Sequence, residues 1–162
     1  MQLRAFPLVV LALISLLAGC GFHLRGDAKI AAQFNPIFVD SSALDSRQQD
    51  QLLQALQRAG AELTTDRESA RRLWVDLGSM KSQKIAGSGV SDVELRTVSM
   101  NLSFRLSDAD GRLLLQDDIV RVRQLELDTN NVLAHERQLE KLGQHLQREL
   151  FRVMLFQMTH FR

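Results

Sequence analysis

Apolar residues recur along most of this chain with one of two periods, and the places where the period changes mark the elements. Leu52, Leu53, Leu56 and Ala59 fall on one face of a helix over 46–59, with Asp50, Gln51, Gln54, Gln57 and Arg58 on the solvated face. Ser46-Arg47-Gln48-Gln49 has capping-box spacing at its start, and Gly60 is the natural stop. Between 72 and 80, Leu73, Val75 and Leu77 alternate with Trp74, Asp76 and Gly78, which predicts a strand with one buried face. The run 92–107 alternates more strongly, with Val98, Met100, Leu102, Phe104 and Leu106 on one side. Upstream, Val93 and Leu95 have the other parity. A β-bulge or twist near Arg96 and Thr97 would reconcile the two registers, because a one-residue insertion swaps faces. Asp108-Ala109-Asp110-Gly111 reads as a hairpin turn, and residues 112–127 as the returning strand.

Two short segments, 21–25 and 36–41, read as extended, the second with Pro36 at its entry, where a missing N–H does little harm. Residues 81–92 read as a connection between strands, flexible at Gly87-Ser88-Gly89. After Thr129-Asn130-Asn131, good capping residues, a long amphipathic helix runs to about Met158, with Leu139, Leu142, Leu146, Leu150 and Val153 as its stripe. Phe151, Leu155 and Met158 widen that stripe near the end. They are either extra core contacts or an apolar surface for a partner. The order β-β-α-β-β-β-α predicts an α+β fold: a two-layer sandwich of a mixed, mostly antiparallel sheet of about four strands against two helices. The strands at 36–41 and 72–80 flank one helix, so as neighbours they would be parallel with a right-handed crossover.

The N-terminus follows neither period. Residues 1–19 hold one cation, Arg4, no acid, and an apolar run from Leu8 to Ala18, about 11 residues where a bilayer core needs roughly 20. With small residues at its end, this reads as an export signal that is removed, leaving 20–162 as a single domain. Leu17-Ala18-Gly19-Cys20 resembles the lipobox of bacterial lipoproteins, in which the Cys is acylated and becomes the first mature residue. Acylation also explains an unpaired Cys in an exported protein. Several acyl chains make attachment effectively permanent, each buried methylene contributing roughly 0.8 kcal/mol. By the same resemblance, Gly21 in place of Asp favours sorting to the periplasmic face of the outer membrane over retention at the inner one.

Composition then narrows the function classes. The formal net charge of +1 comes from Arg4 in the signal, so the remainder balances at 19 cations and 19 acids, which excludes nucleic-acid binding through bulk charge. One Cys excludes an internal disulfide and a Cys-rich zinc site. His23, His135, His145 and His160 show no helical H-E-x-x-H spacing, no Ser sits in G-x-S-x-G, and Gly87-Ser88-Gly89-Val90 lacks the Lys-Ser/Thr of a phosphate loop. No catalytic, metal-binding or cofactor-binding residue is nominated, and the chain reads as a non-enzyme. What remains is charge on a sheet. Lys81, Lys84, Arg96, Arg105, Arg121 and Arg123 face six acids in the same stretch, so only local placement could make a positive patch, with Lys81 and Lys84 at one sheet end.

Cys20-Gly21-Phe22-His23-Leu24-Arg25-Gly26 resembles the start of the mature LPS-assembly lipoproteins of the LptE/RlpB family. The likeness extends through Phe38-Val39-Asp40-Ser41, Gly60-Ala61-Glu62-Leu63, the long hairpin and the terminal helix. It implies a domain that sits as a plug in the lumen of the outer-membrane β-barrel LptD, assists that barrel's assembly, and binds lipopolysaccharide on its way to the outer leaflet. Lys81 and Lys84, with Arg96 supporting, are then the lipopolysaccharide-contact candidates, and Phe151, Leu155 and Met158 the partner-surface candidates. Where family members carry a basic residue near the start of the last helix this chain has His135. The alternative is a lipoprotein accessory subunit of a phospholipid or solute transporter, which would share anchor and size without the barrel. A periplasmic hydrolase is a third class.

Overall fold

The computed structural model describes Ile30 and residues 32–86, 93–128 and 130–160. The signal, Cys20, the extended segment at 21–25 and Gly87-Ser88-Gly89 lie outside the described residues. In chain order the elements are β1 (Ile37–Asp40), α1 (Ser46–Arg58), β2 (Arg71–Leu77), β3 (Lys81–Ala86), β4 (Val93–Ser107), β5 (Leu113–Asp128) and α2 (Val132–His160), with a 3-10 turn at Ala32–Phe34. They form one five-stranded mixed sheet covered on one face by the two helices, the α+β sandwich that the two periods predict.

Long β4 organises the sheet. β5 pairs antiparallel along its full length on one edge, while β2 takes Leu102–Ser107 and β3 takes Leu95–Ser99 on the other. β1 adds to β2 in parallel, as the single intervening helix requires. Beyond β1, Ile37 forms an isolated parallel bridge to Leu63.

β3 takes the place of the first half of the connection expected over 81–92. Lys81–Ala86 carries no apolar alternation that would announce a strand, and Lys81 to Ile85 are all exposed. Backbone pairing to β4 holds it. The chain turns between β2 and β3 at Gly78, whose N–H donates to the Asn101 carbonyl at 2.9 Å. The register shift also moves. β4 pairs with β5 without interruption through Arg96 and Thr97, and the extra residue is Ile85 on β3, between Lys84 and Ala86. β4 therefore keeps one alternation throughout, and Glu94 and Arg96 share the helix-side face with Val98.

Capping explains the helix limits. Asp45, one residue before the expected Ser46, is the N-cap of α1: its carboxylate accepts the Gln48 N–H at 2.8 Å, and Gln48 Oε1 accepts the Asp45 N–H at 3.0 Å. Asn131 Oδ1 accepts the Ala134 N–H at 3.1 Å at the start of α2. The hairpin turn closes with Asp108 Oδ1 accepting the Arg112 N–H at 2.7 Å and Gly111 at φ +85°, a backbone region that favours glycine.

The core lies between the layers. Leu73, Val75, Leu102, Phe104 and Leu106 of the sheet are fully buried against Leu52 and Leu56 of α1 and Leu146, Leu150, Met154 and Met158 of α2. Each such side chain contributes roughly 1.5–3 kcal/mol through burial. Above this core α2 is strapped to β5. Arg123 donates to both Glu149 oxygens at 2.8 and 2.9 Å, and Gln157 Nε2 donates to Asp117 at 2.6 Å.

Candidate functional site

The three basic residues nominated from sequence divide between two faces. Lys81 pairs in register with Ser99 and looks onto the open sheet face, in a shallow cleft with Asn101, Asp118 and Val120. Lys84 and Arg96, directly opposite one another, lie on the other face and converge on Glu94. Lys84 Nζ is 3.4 Å from Glu94 Oε2, Arg96 Nε bonds Oε1, and Arg96 Nη1 donates to Ser82 Oγ at 3.2 Å. The Arg96 hydrogen bond, aided by the two positive charges, holds the Glu94 carboxyl below its usual range. Two cations on one carboxylate leave a single surplus positive charge at this end of the sheet.

Arg105, Arg121 and Arg123 of the sheet are also engaged. Arg121 Nε stands 3.4 Å from Glu149, which already holds Arg123. Arg105 lies over the Trp74 ring at 5.0 Å, and Arg67 over Phe38 at 4.8 Å. These two stacked pairs, with Arg72, line a cleft of about 630 Å³ on the open face toward the hairpin turn. Sequence reading missed this cluster because Arg67 lies in a turn outside the strands. There Asp66 accepts the Ser69 hydroxyl and the Glu68 N–H, the latter at 2.9 Å, and these bonds hold its carboxyl low. Asp40 shares the cleft, 3.9 Å from Arg67, and tempers its positive charge.

Phe151, Leu155 and Met158 separate by depth. Met158 is fully buried and Phe151 is 3% exposed, both within the core, whereas Leu155 is half-buried. Phe151 and Leu155 line a groove of about 430 Å³ between the helices, where Phe156, 47% exposed, joins them. Helical spacing explains the division: Leu150, Met154 and Met158 form one line in the core under the sheet, and Phe151 and Leu155 an adjacent line that borders the gap between helices.

His135 lies in the first turn of α2. Among the described residues, no three His, Cys, Asp or Glu side chains gather where they could hold a metal ion, and no catalytic constellation forms. No helix among them is long and apolar enough to cross a membrane. What the described residues present is charge placed locally on the sheet, in ion pairs and stacked cations.

The fold is shared with solved lipoproteins. It aligns with uncharacterized lipoprotein B of Nitrosomonas europaea at TM-score 0.70 and 19% identity, over 87% of this chain and 92% of that one. It aligns with a minor lipoprotein of Acinetobacter baumannii at 0.64 and 17%, over 78% and 91%, and with rare lipoprotein B of Shewanella oneidensis at 0.57 and 11%, over 76% and 88%. At these identities the likeness is one of fold.

In sequence, 42 residues are 45% identical to the LPS-assembly lipoprotein LptE of Pectobacterium atrosepticum, covering 26% of this chain and 23% of that protein. No family model matches the chain. Together these findings support a distant relationship to LptE/RlpB-like lipoproteins.

Proposed function

We propose that this chain is an outer-membrane lipoprotein, held at the periplasmic face by acyl chains on Cys20, that binds lipopolysaccharide and acts as plug and assembly factor of the LptD β-barrel. In that role it supports insertion of lipopolysaccharide into the outer leaflet. The observation that carries this reading is the 42-residue likeness to an LPS-assembly lipoprotein. The Leu17-Ala18-Gly19-Cys20 signal and the lipoprotein fold support it. Purification of the acylated protein from outer membranes in mild detergent is expected to bring a large β-barrel with it. If none co-purifies under conditions that retain other barrel complexes, the reading fails.

Lipopolysaccharide carries phosphates beside acyl chains, and we assign its contact to Lys81, Lys84 and Arg96. Charge-assisted hydrogen bonds to phosphate suit exposed amines and guanidinium groups, and Lys81 has no ion pair among the described residues. Lys81→Glu with Lys84→Glu is expected to weaken lipopolysaccharide binding while the fold persists. Unchanged affinity at low salt, where screening is weakest, removes these residues from the contact.

A further inference from the structure

The groove between α1 and α2 has a composition that core packing does not require. Its floor is apolar, with Phe151, Leu155 and Phe156 on the α2 side, and its lining includes Arg58, Arg148 and Arg152. No carboxylate lines it. Arg148 and Arg152, one helical turn apart, form no ion pair among the described residues, and Arg58 only donates to Gln54 at 3.2 Å. This contrasts with the sheet, where Glu94 and Glu149 hold four cations between them. Three guanidinium groups beside an apolar trough complement a ligand with an anionic head and a hydrocarbon chain. A volume of about 430 Å³ is within the range of small-molecule sites.

The chain's own path supplies the occupant. The Ile30 N–H donates to the Ala59 carbonyl at 2.7 Å, and Ala59 itself lines the groove. Cys20 is ten residues upstream of Ile30, a separation that a fully extended chain spans in at most about 33–36 Å. An acylated Cys20 thus keeps its bilayer leaflet within that distance of the groove.

We propose that this groove binds an anionic phospholipid of the leaflet that holds the anchor, the phosphate meeting Arg58, Arg148 and Arg152 and an acyl chain lying along Leu155 and Phe156. This rests on the reading that Cys20 carries the anchor. Burial of Phe151 and Met158 leaves Leu155 as the accessible member of the three, in a trough and not on a broad patch. That shape fits one acyl chain better than a flat protein wall.

The test uses the full chain as acylated by its host, reconstituted into vesicles. Phe156→Trp places a reporter at the groove, in a Trp74→Phe background that removes the chain's single native Trp. In vesicles containing phosphatidylglycerol with brominated acyl chains, the indole at position 156 is expected to be quenched. In vesicles of brominated phosphatidylcholine alone it is expected to remain bright. Adding Arg148→Glu and Arg152→Glu is expected to abolish the quenching, with an unchanged thermal unfolding transition confirming the fold.

Absence of quenching with phosphatidylglycerol, in protein whose Cys20 is shown by mass to be acylated, overturns the groove site and leaves the anchor standing. Quenching that survives the two Arg substitutions also overturns it, since immersion alone would then account for the signal. Preferential quenching by brominated lipopolysaccharide overturns the phospholipid as occupant. If the mass shows no acylation, the anchor reading fails by itself. The same vesicles are then added to the chain in solution, where Arg-dependent quenching by phosphatidylglycerol supports the site and its absence overturns it.

Discussion

Gln147 donates a 2.8 Å hydrogen bond from Nε2 to Oε1 of Gln51, joining α2 to α1 across 96 residues of chain. Gln147 is 8% exposed, so this is a polar contact set into an apolar interface. A buried amide needs its partner, because desolvation of an unpaired one is unfavourable.

Gln147→Ala is therefore expected to lower stability by about 1 kcal/mol, with a coupling of similar size in the double-mutant cycle with Gln51→Ala. Denaturant unfolding of the four proteins measures it. Additive effects would show that the helices are held by their apolar contacts alone.

Glu94 predicts both a pH dependence and a charge effect. The Arg96 hydrogen bond holds its folded-state pKa below that of an ordinary glutamate, so its contribution to stability is fully present above the unfolded value and is lost as pH falls through the folded one. The stability difference between wild type and Glu94→Gln is expected to shrink as pH falls through this window. At neutral pH, Glu94→Gln also releases Lys84 and Arg96 from their shared counter-ion. Under the proposed function, lipopolysaccharide affinity rises in this variant, most clearly at low salt.

Depth should separate two aromatic substitutions on neighbouring strands. Phe104 is fully buried between the layers, and Phe104→Ala is expected to cost about 3–5 kcal/mol. Trp74 lies on the open face beneath Arg105, so Trp74→Ala should cost clearly less despite the larger ring. Urea midpoints of the two variants check the order.

Gly78 is a site of close approach. A Cβ there would stand 2.1 Å from Asn101 Oδ1, so Gly78→Ala forces the amide aside and is expected to loosen the turn between β2 and β3. Asn101→Ala in the same chain should recover most of the lost stability. Thermal unfolding of the single and double variants reports the recovery.

Much of the layer architecture was legible because buried faces impose a period. Val98 to Leu106 alternates since one side meets two helices, and Leu146 and Leu150 recur since one stripe meets a sheet. β3 gave no such signal: from Lys81 to Ile85 it buries no side chain, and backbone pairing leaves no mark on residue type. The parity change at Val93 and Leu95 was real but misleading. β4 places the charged Glu94 and Arg96 on its inner side, where their mutual pairing replaces apolar contact. Of the candidate site, the sequence marked Lys81, Lys84 and Arg96 as basic, yet register alone sends Lys81 to one face and the other two to the opposite one. The groove cations were hidden for a similar reason. Arg58 and Arg148 are far apart in sequence, and each taken singly is an ordinary solvated helix residue.

The shared edge of β4 also fixes an order of assembly. β4 and β5 are joined by a short turn and pair locally, whereas β1 reaches β2 only across a helix, a separation whose closure is slower. β2 and β3 both pair with the same edge of β4, so β3 has no ladder to join, and β2 only its short parallel one to β1, until β4 is extended. The hairpin is expected to form first and to open last. In native-state hydrogen exchange the slowest amides should lie in the middle of β4, and those of β1 should be released at lower free energy.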